Sequence, residues 1–207
     1  MPRRNRVTPF GDIVADAGRG TLMGNRGVLH DAEQRIVRDS QVHRWIACRL
    51  EFRGRWRPIM QPGRWTELFF LDEAAAFAAG HRPCAECRHS DCLRFKLAWC
   101  QAVADARDPT PSADAIDRRL HAERRHGPWR KRTYTAEIAT LPDGTYVALD
   151  HQAWLVLGDA LLAWSAGAYH TRRPRPRHAE VSVLTPPSLV AVIRASYAPD
   201  LHPSAGA

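Results

Sequence analysis

The chain reads as an α+β protein: a small β-hairpin/helix module, then helices, then a small antiparallel β-sheet or partial barrel. Three observations predict this class. Residues 46–53 alternate with a period of two, Ile46, Cys48, Leu50 and Phe52 against Ala47, Arg49, Glu51 and Arg53, which is the mark of a half-buried strand. Residues 72–80 and 90–107 carry helix formers behind cap signals. From Thr133 onward, short β-type runs alternate with turn residues.

The 207 residues suffice for one sizeable domain or two small ones, and 44% apolar content allows a real core. No run reaches the ~18 apolar residues of a membrane span. The first residues, MPRRNRVTPFGD, have charge but no apolar stretch of the secretory kind. Five cysteines, two of them in Cys-x-x-Cys, suit a reducing cytoplasm and a metal ion better than a disulfide framework. The expected location is therefore cytoplasmic. The formal charge is +8, and of the 30 basic residues only Lys96 and Lys131 are lysine. A GC-rich genome writes arginine for lysine without functional motive. The net excess nevertheless favours a polyanionic partner through counterion release, because guanidinium forks match phosphate.

Residues 1–30 hold Arg3, Arg4, Arg6, Arg19 and Arg26 among five glycines and read as a basic N-terminal arm. RGTLMGNRG lacks the GK[ST] ending of a phosphate loop. The second unit spans 31–108. Its strand at 46–53 is expected to turn at Gly54 and return through Arg55, Trp56 and Arg57, with a third strand at 65–71. Asp72 caps an alanine-rich helix that Gly80 ends, and Pro83 stiffens the chain before Cys84 and Cys87. Two thiolates at this spacing can share one tetrahedral zinc. Ser90 caps the next helix, whose Cys92, Phe95 and Trp99 share an apolar face.

The third unit, 109–207, opens on a helix from Ser112 to Gly127 with Arg118, Arg119, Arg124, Arg125 and His126 on its solvated face. Basic residues continue past Trp129 through Arg130, Lys131 and Arg132, a mixture of cations and aromatics that fits a phosphate-tracking, base-stacking groove. Strands are expected at 133–140, 146–149, 153–157, 160–164 and 181–184. Residues 172–178, RRPRPRH, read as an extended linker, Thr185 and Pro186 as a helix start, and the tail after Tyr197 as frayed.

The stretch AAGHRPCAEC, with Gly80, Arg82, Pro83, Cys84 and Cys87, resembles the signature of the Ada-type metal-binding domain over about residues 45–90. In that family a strand and an alanine-rich helix lead into the second pair of zinc cysteines. The first pair there is usually Cys-x-x-x-Cys. Here Cys48 is the only upstream cysteine, with Arg44 and Phe52 four residues to either side. The remaining ligand is left between His43 or His30 upstream and a local knuckle using His89 and Cys92. The resemblance implies zinc and DNA, and a role in DNA repair or processing.

The expected function is thus zinc-containing nucleic-acid binding, DNA above all. Arg49, Arg53, Arg55, Arg57, Arg82, Arg124, Arg125, Trp129, Arg130, Lys131 and Arg132 are the expected contacts. One alternative is an enzyme on DNA. In the Ada family a zinc thiolate of the upstream pair takes a methyl group from a phosphotriester, a role that only Cys48 can match. Hydrolysis or base excision by His121, Glu123, Asp150 or His151 is a second enzymatic form. A structural or protein-interaction module is the other alternative.

Overall fold

The computed structural model describes residues 1–54 and 58–206. It is an α+β fold without a barrel, built on two six-stranded sheets. The first sheet uses β1 (Arg4–Val7), β2 (Ile13–Ala15), β3 (Leu22–Asn25), β4 (Ile46–Arg49) and β5 (Leu68–Phe70). After helix α1 (Glu73–Ala78) it is completed by β6 (Arg82–Pro83), giving the order β2-β1-β5-β3-β4-β6. Residues 4–25 therefore supply three strands in place of the expected arm. Glycine argued against a helix there, but short strands tolerate it where backbones approach closely.

β4 also finds different partners from those expected. It pairs antiparallel with β3, Met23 opposite Cys48, and parallel with β6, Ile46 opposite Arg82. The predicted return strand at Arg55, Trp56 and Arg57 lies outside the described residues.

Helix α1 is the centre of the packing. All six of its residues are buried. Ala76 joins the core of the first sheet, Ala74, Ala75 and Ala78 join a core beneath the second sheet, and Phe77 stacks into the helical core. Only small side chains let one helix meet three layers at once. Its N-terminus is held by acids. Asp72 accepts from Ala75 N at 2.9 Å as the expected cap, and also from Tyr169 Oη at 2.6 Å and His202 N at 3.0 Å. Glu73 accepts from Tyr197 Oη and Asp200 N and pairs with Arg88 at 2.7 Å. The residues after Tyr197 are thus tied across the helix start and end in a 3-10 turn at Pro203–Gly206, where the sequence suggested fraying.

Gly80 ends α1 with φ of +88°. A β-carbon there would stand 2.5 Å from Arg124 Cδ. We expect Gly80→Ala to destabilise the protein by about 1–3 kcal/mol, the left-handed backbone penalty plus displaced packing. Urea denaturation checks this; an unchanged midpoint would contradict it.

Helix α2 (His89–Ala102) follows directly, started by Arg88 and not by a Ser90 cap. Helix α3 (Ala113–Arg124) has the expected cap, Ser112 Oγ accepting from Ala115 N at 3.2 Å. A small hairpin of β7 (Arg125–Gly127) and β8 (Arg130–Lys131) comes next. The second sheet comprises β9 (Tyr134–Glu137), β10 (Tyr146–Leu149), β11 (Gln152–Leu157), β12 (Ala160–Trp164), β13 (Tyr169–Pro174) and β14 (Glu180–Val183). It is antiparallel and open, in the order β13-β12-β11-β10-β14-β9. The basic segment 172–178 begins inside β13, where Arg172 and Arg173 pair with Leu162 and Leu161 of β12. Helix α4 (Pro187–Arg194) starts one residue later than expected; Thr185 Oγ1 accepts from Tyr146 N instead of capping it. α2, α3 and α4 share a core with Phe77, so packing crosses the 108/109 boundary.

Candidate metal centre

Two neighbouring strands bring the cysteines together. The β4–β6 pairing is fixed by Arg82 N donating to Trp45 O at 3.1 Å and Cys84 N donating to Ala47 O at 2.9 Å. Cys84 therefore leaves β6 beside the residue that precedes Cys48. The chain then turns through Ala85 and Glu86, and Arg88 N closes on Cys84 O at 3.1 Å as α2 begins. The sulfurs of Cys48, Cys84 and Cys87 all lie within 4.8 Å of one another. Tetrahedral zinc with Zn–S bonds of about 2.3 Å spaces its sulfurs about 3.8 Å apart, so the group needs little adjustment to hold an ion.

The electrostatics fit the same reading. The Cys48 thiol hydrogen-bonds both partners. That contact, reinforced by the backbone N–H groups of Cys87 and Glu86, outweighs burial and pulls Cys84 down to about 5. The same Cys48 contact and the Arg49 N–H, 3.4 Å away, lower Cys87. Cys48 is pushed up by its contacts with the two partner sulfurs and by burial. A divalent cation held by the group would let all three sulfurs be thiolates.

The three sulfurs line a cleft of about 350 Å³ with Met23 and Asn25 of β3, Ile46, Leu50, Phe52, Trp65 and Phe69. Phe52 thus stands in the cleft at the position where the resemblance expects a second upstream cysteine. Arg49 and Arg53 are exposed beside it.

Neither proposed completion of the ligand set joins the sulfurs. His30 is buried elsewhere, its Nδ1 2.6 Å from Thr66 Oγ1 and its Nε2 3.2 Å from Gln61 O. His43 lies before β4 begins and stacks on His121, ring centroids 4.0 Å apart. The local knuckle fails because α2 starts at His89. That ring sits exposed against Ala85 O, and Cys92, though buried on α2, is not among the sulfurs that gather. Among the described residues, the group is three cysteines.

Several expected nucleic-acid contacts are internal. Arg82 makes a bidentate pair with Asp117, both bonds 2.8 Å, with each side chain almost fully buried. Arg124 is buried, donating to Gly80 O and His43 O and lying 3.8 Å over the Trp45 ring. Arg125 pairs with Asp39 at 2.8 Å, and Lys131 Nζ donates to Ala78 O at 2.6 Å. Trp129, Arg130 and Arg132 are exposed; Arg55 and Arg57 lie outside the described residues. A charge count treats every arginine as solvated, but the long stem can bury a guanidinium where carbonyls or rings receive it.

The candidate acid–base residues are also separated by their partners. Glu123 accepts from Ser188 N and Oγ and from Arg119, so it holds the first turn of α4. His121, pushed down to about 4 by burial and then by Arg124, stacks on His43. Asp150 and His151 occupy the exposed β10–β11 turn, both at positive φ, and Asp150 meets Arg173 at 3.4 Å. Among the described residues, no hydrogen bond or ion pair joins these four. The β3 residues Met23 and Asn25 were not foreseen in the site; the Met23–Cys48 register places them there. Among the described residues, no helix is long and apolar enough to cross a membrane. No protein-family model, no curated protein and no solved structure matches the chain.

Proposed function

We propose that the chain is a zinc protein that engages nucleic acid, DNA by the resemblance to the Ada-type domain, through the face that carries the sulfur cleft. The gathering of Cys48, Cys84 and Cys87 within 4.8 Å carries the reading. Soft thiolates select zinc, copper(I) or iron over hard cations, and zinc needs no redox partner. The ion ties β4 to the start of α2 and so fixes the surface on which Arg49 and Arg53 stand exposed. The +8 charge supports a polyanion as partner.

Fluorescence anisotropy with a short DNA duplex tests this. Affinity is expected to fall linearly on a log–log plot against salt, and Arg49→Glu with Arg53→Glu to reduce it at least tenfold at low salt. Binding that ignores salt, or is unchanged in the double variant, would overturn the DNA reading and favour a protein-interaction module.

One observation favours a reactive form of the same site. Among the described residues three sulfurs gather, and all three border the cleft, so a remaining position on a bound ion would face that space. The resemblance implies methyl transfer: a methyl group passes from a phosphotriester oxygen to Cys48 Sγ, leaving a phosphodiester. Mass spectrometry of the protein after incubation with methylated DNA decides this; an unmodified Cys48 would reject it.

A further inference from the structure

A second cavity, sharing no lining residue with the sulfur cleft, sits between the end of β3, the end of α3 and the β7–β8 hairpin. It is small, about 30 Å³. Five cations line it, Arg26, Arg124, Arg125, Arg130 and Lys131, against two carboxylates, Asp12 and Asp39. Asp39 is spoken for: it pairs with Arg125 and accepts from Trp129 N at 2.6 Å.

The two deepest guanidiniums have no carboxylate in contact. Arg26, 1% exposed, donates to His81 Nε2 at 3.3 Å, to Gly11 O at 3.0 Å and to Asp39 O at 3.5 Å. Arg124, 2% exposed, donates to the Gly80 and His43 carbonyls and lies 3.4 Å from His121 Nδ1. They cover Trp45, with guanidinium carbons 4.0 and 3.8 Å from its centroid. Even so, Arg26 Nη2 and Arg124 Nε have no hydrogen-bond partner, and both residues line the cavity. Both of these orphaned atoms are donors. Buried donors without acceptors are destabilising, and more so when charged. Burial also lowers Arg26 to about 9 and Lys131 to about 7, a direction that a bound anion reverses.

We propose that this cavity is an oxyanion site that takes a phosphate group. A single tetrahedral oxyanion offers several acceptors and the missing negative charge in a space too small for a base or sugar. Exposed Trp129 and Arg130 mark the open side, so the group can be free phosphate or the end of a phosphorylated chain.

Isothermal titration calorimetry with inorganic phosphate, with chloride at matched ionic strength as control, tests the site. One saturable phosphate per chain is expected, with affinity reduced at least tenfold in Arg26→Met and in Lys131→Met. The Lys131 stem is partly exposed although its ammonium is buried, and Met keeps that stem, so its variant carries the test if Arg26→Met fails to fold. An oligonucleotide with and without a 5′-phosphate distinguishes the source: binding only of the phosphorylated form assigns the site to chain ends and also supports it. Phosphate acting no differently from chloride, with no preference for the phosphorylated end, would overturn the proposal, as would wild-type phosphate affinity in both variants.

Discussion

Replacing Cys84 with serine is expected to strip the metal from the protein and lower its melting temperature by about 8–16 °C. The estimate follows from linkage. An ion bound only by the folded state adds about 4 kcal/mol when its free concentration is a thousandfold above Kd. In a chain of this size each kcal/mol moves the midpoint by about 2–4 °C. Cys84 is the sulfur to test because its backbone is pinned to β4 through Ala47 O, so the variant changes the ligand without freeing the strand. A chelator should reproduce the loss in the wild type and do nothing further to the variant. The controls are Cys92→Ser, which perturbs a buried thiol of α2 outside the sulfur group, and Cys100→Ser; neither should change metal content. A Cys84 variant with wild-type metal content and stability would contradict this account.

Asp117→Ala is expected to cost about 3–5 kcal/mol, because it abandons the buried Arg82 guanidinium without its bidentate partner. The carbonyl of Pro83, 3.2 Å from Arg82 Nη1, is the remaining acceptor and carries no charge. Removing both charges in Arg82→Met/Asp117→Leu should recover most of the loss, since the pair's cost lies in breaking it. The effect should also reach the sulfurs. Arg82 pairs with Ile46 across β4–β6 and stands two residues before Cys84, so metal affinity should weaken in the single variant. Urea denaturation at fixed metal concentration gives the ledger for all three proteins. A single variant within 1 kcal/mol of the wild type would show that Arg82 finds water or another acceptor.

The parts of this fold written locally were legible in the sequence. Asp72 at the start of α1, Gly80 at its end and Ser112 before α3 act through bonds spanning three or four residues, and each stands where its residue type demands. Strands β10 and β12 are bounded by turn residues and fall where the alternation put them. The thiolates of Cys84 and Cys87 were visible for the same reason. Long-range choices were not. Nothing near Cys48 says that its strand pairs with β3 upstream and β6 downstream, leaving no histidine in the sulfur group among the described residues. β1 to β3 hide in a glycine-rich stretch because their stability comes from neighbours in the sheet. The arginines misled most. Arg26, Arg82, Arg88 and Arg124 look like surface charge in one dimension, yet each is buried against partners far along the chain. The tail beyond Tyr197 looked loose until Asp72 and Glu73, more than a hundred residues earlier, supplied its acceptors.

The most direct test of the central claim is the absorption spectrum and metal stoichiometry of the cobalt(II)-substituted protein. A sulfur-to-metal charge-transfer band at one cobalt per chain, weakened by serine at any of Cys48, Cys84 or Cys87 and displaced by one equivalent of zinc, is the predicted result. A protein that takes up no stoichiometric metal, and whose three thiols react with a thiol reagent independently of one another, would contradict it.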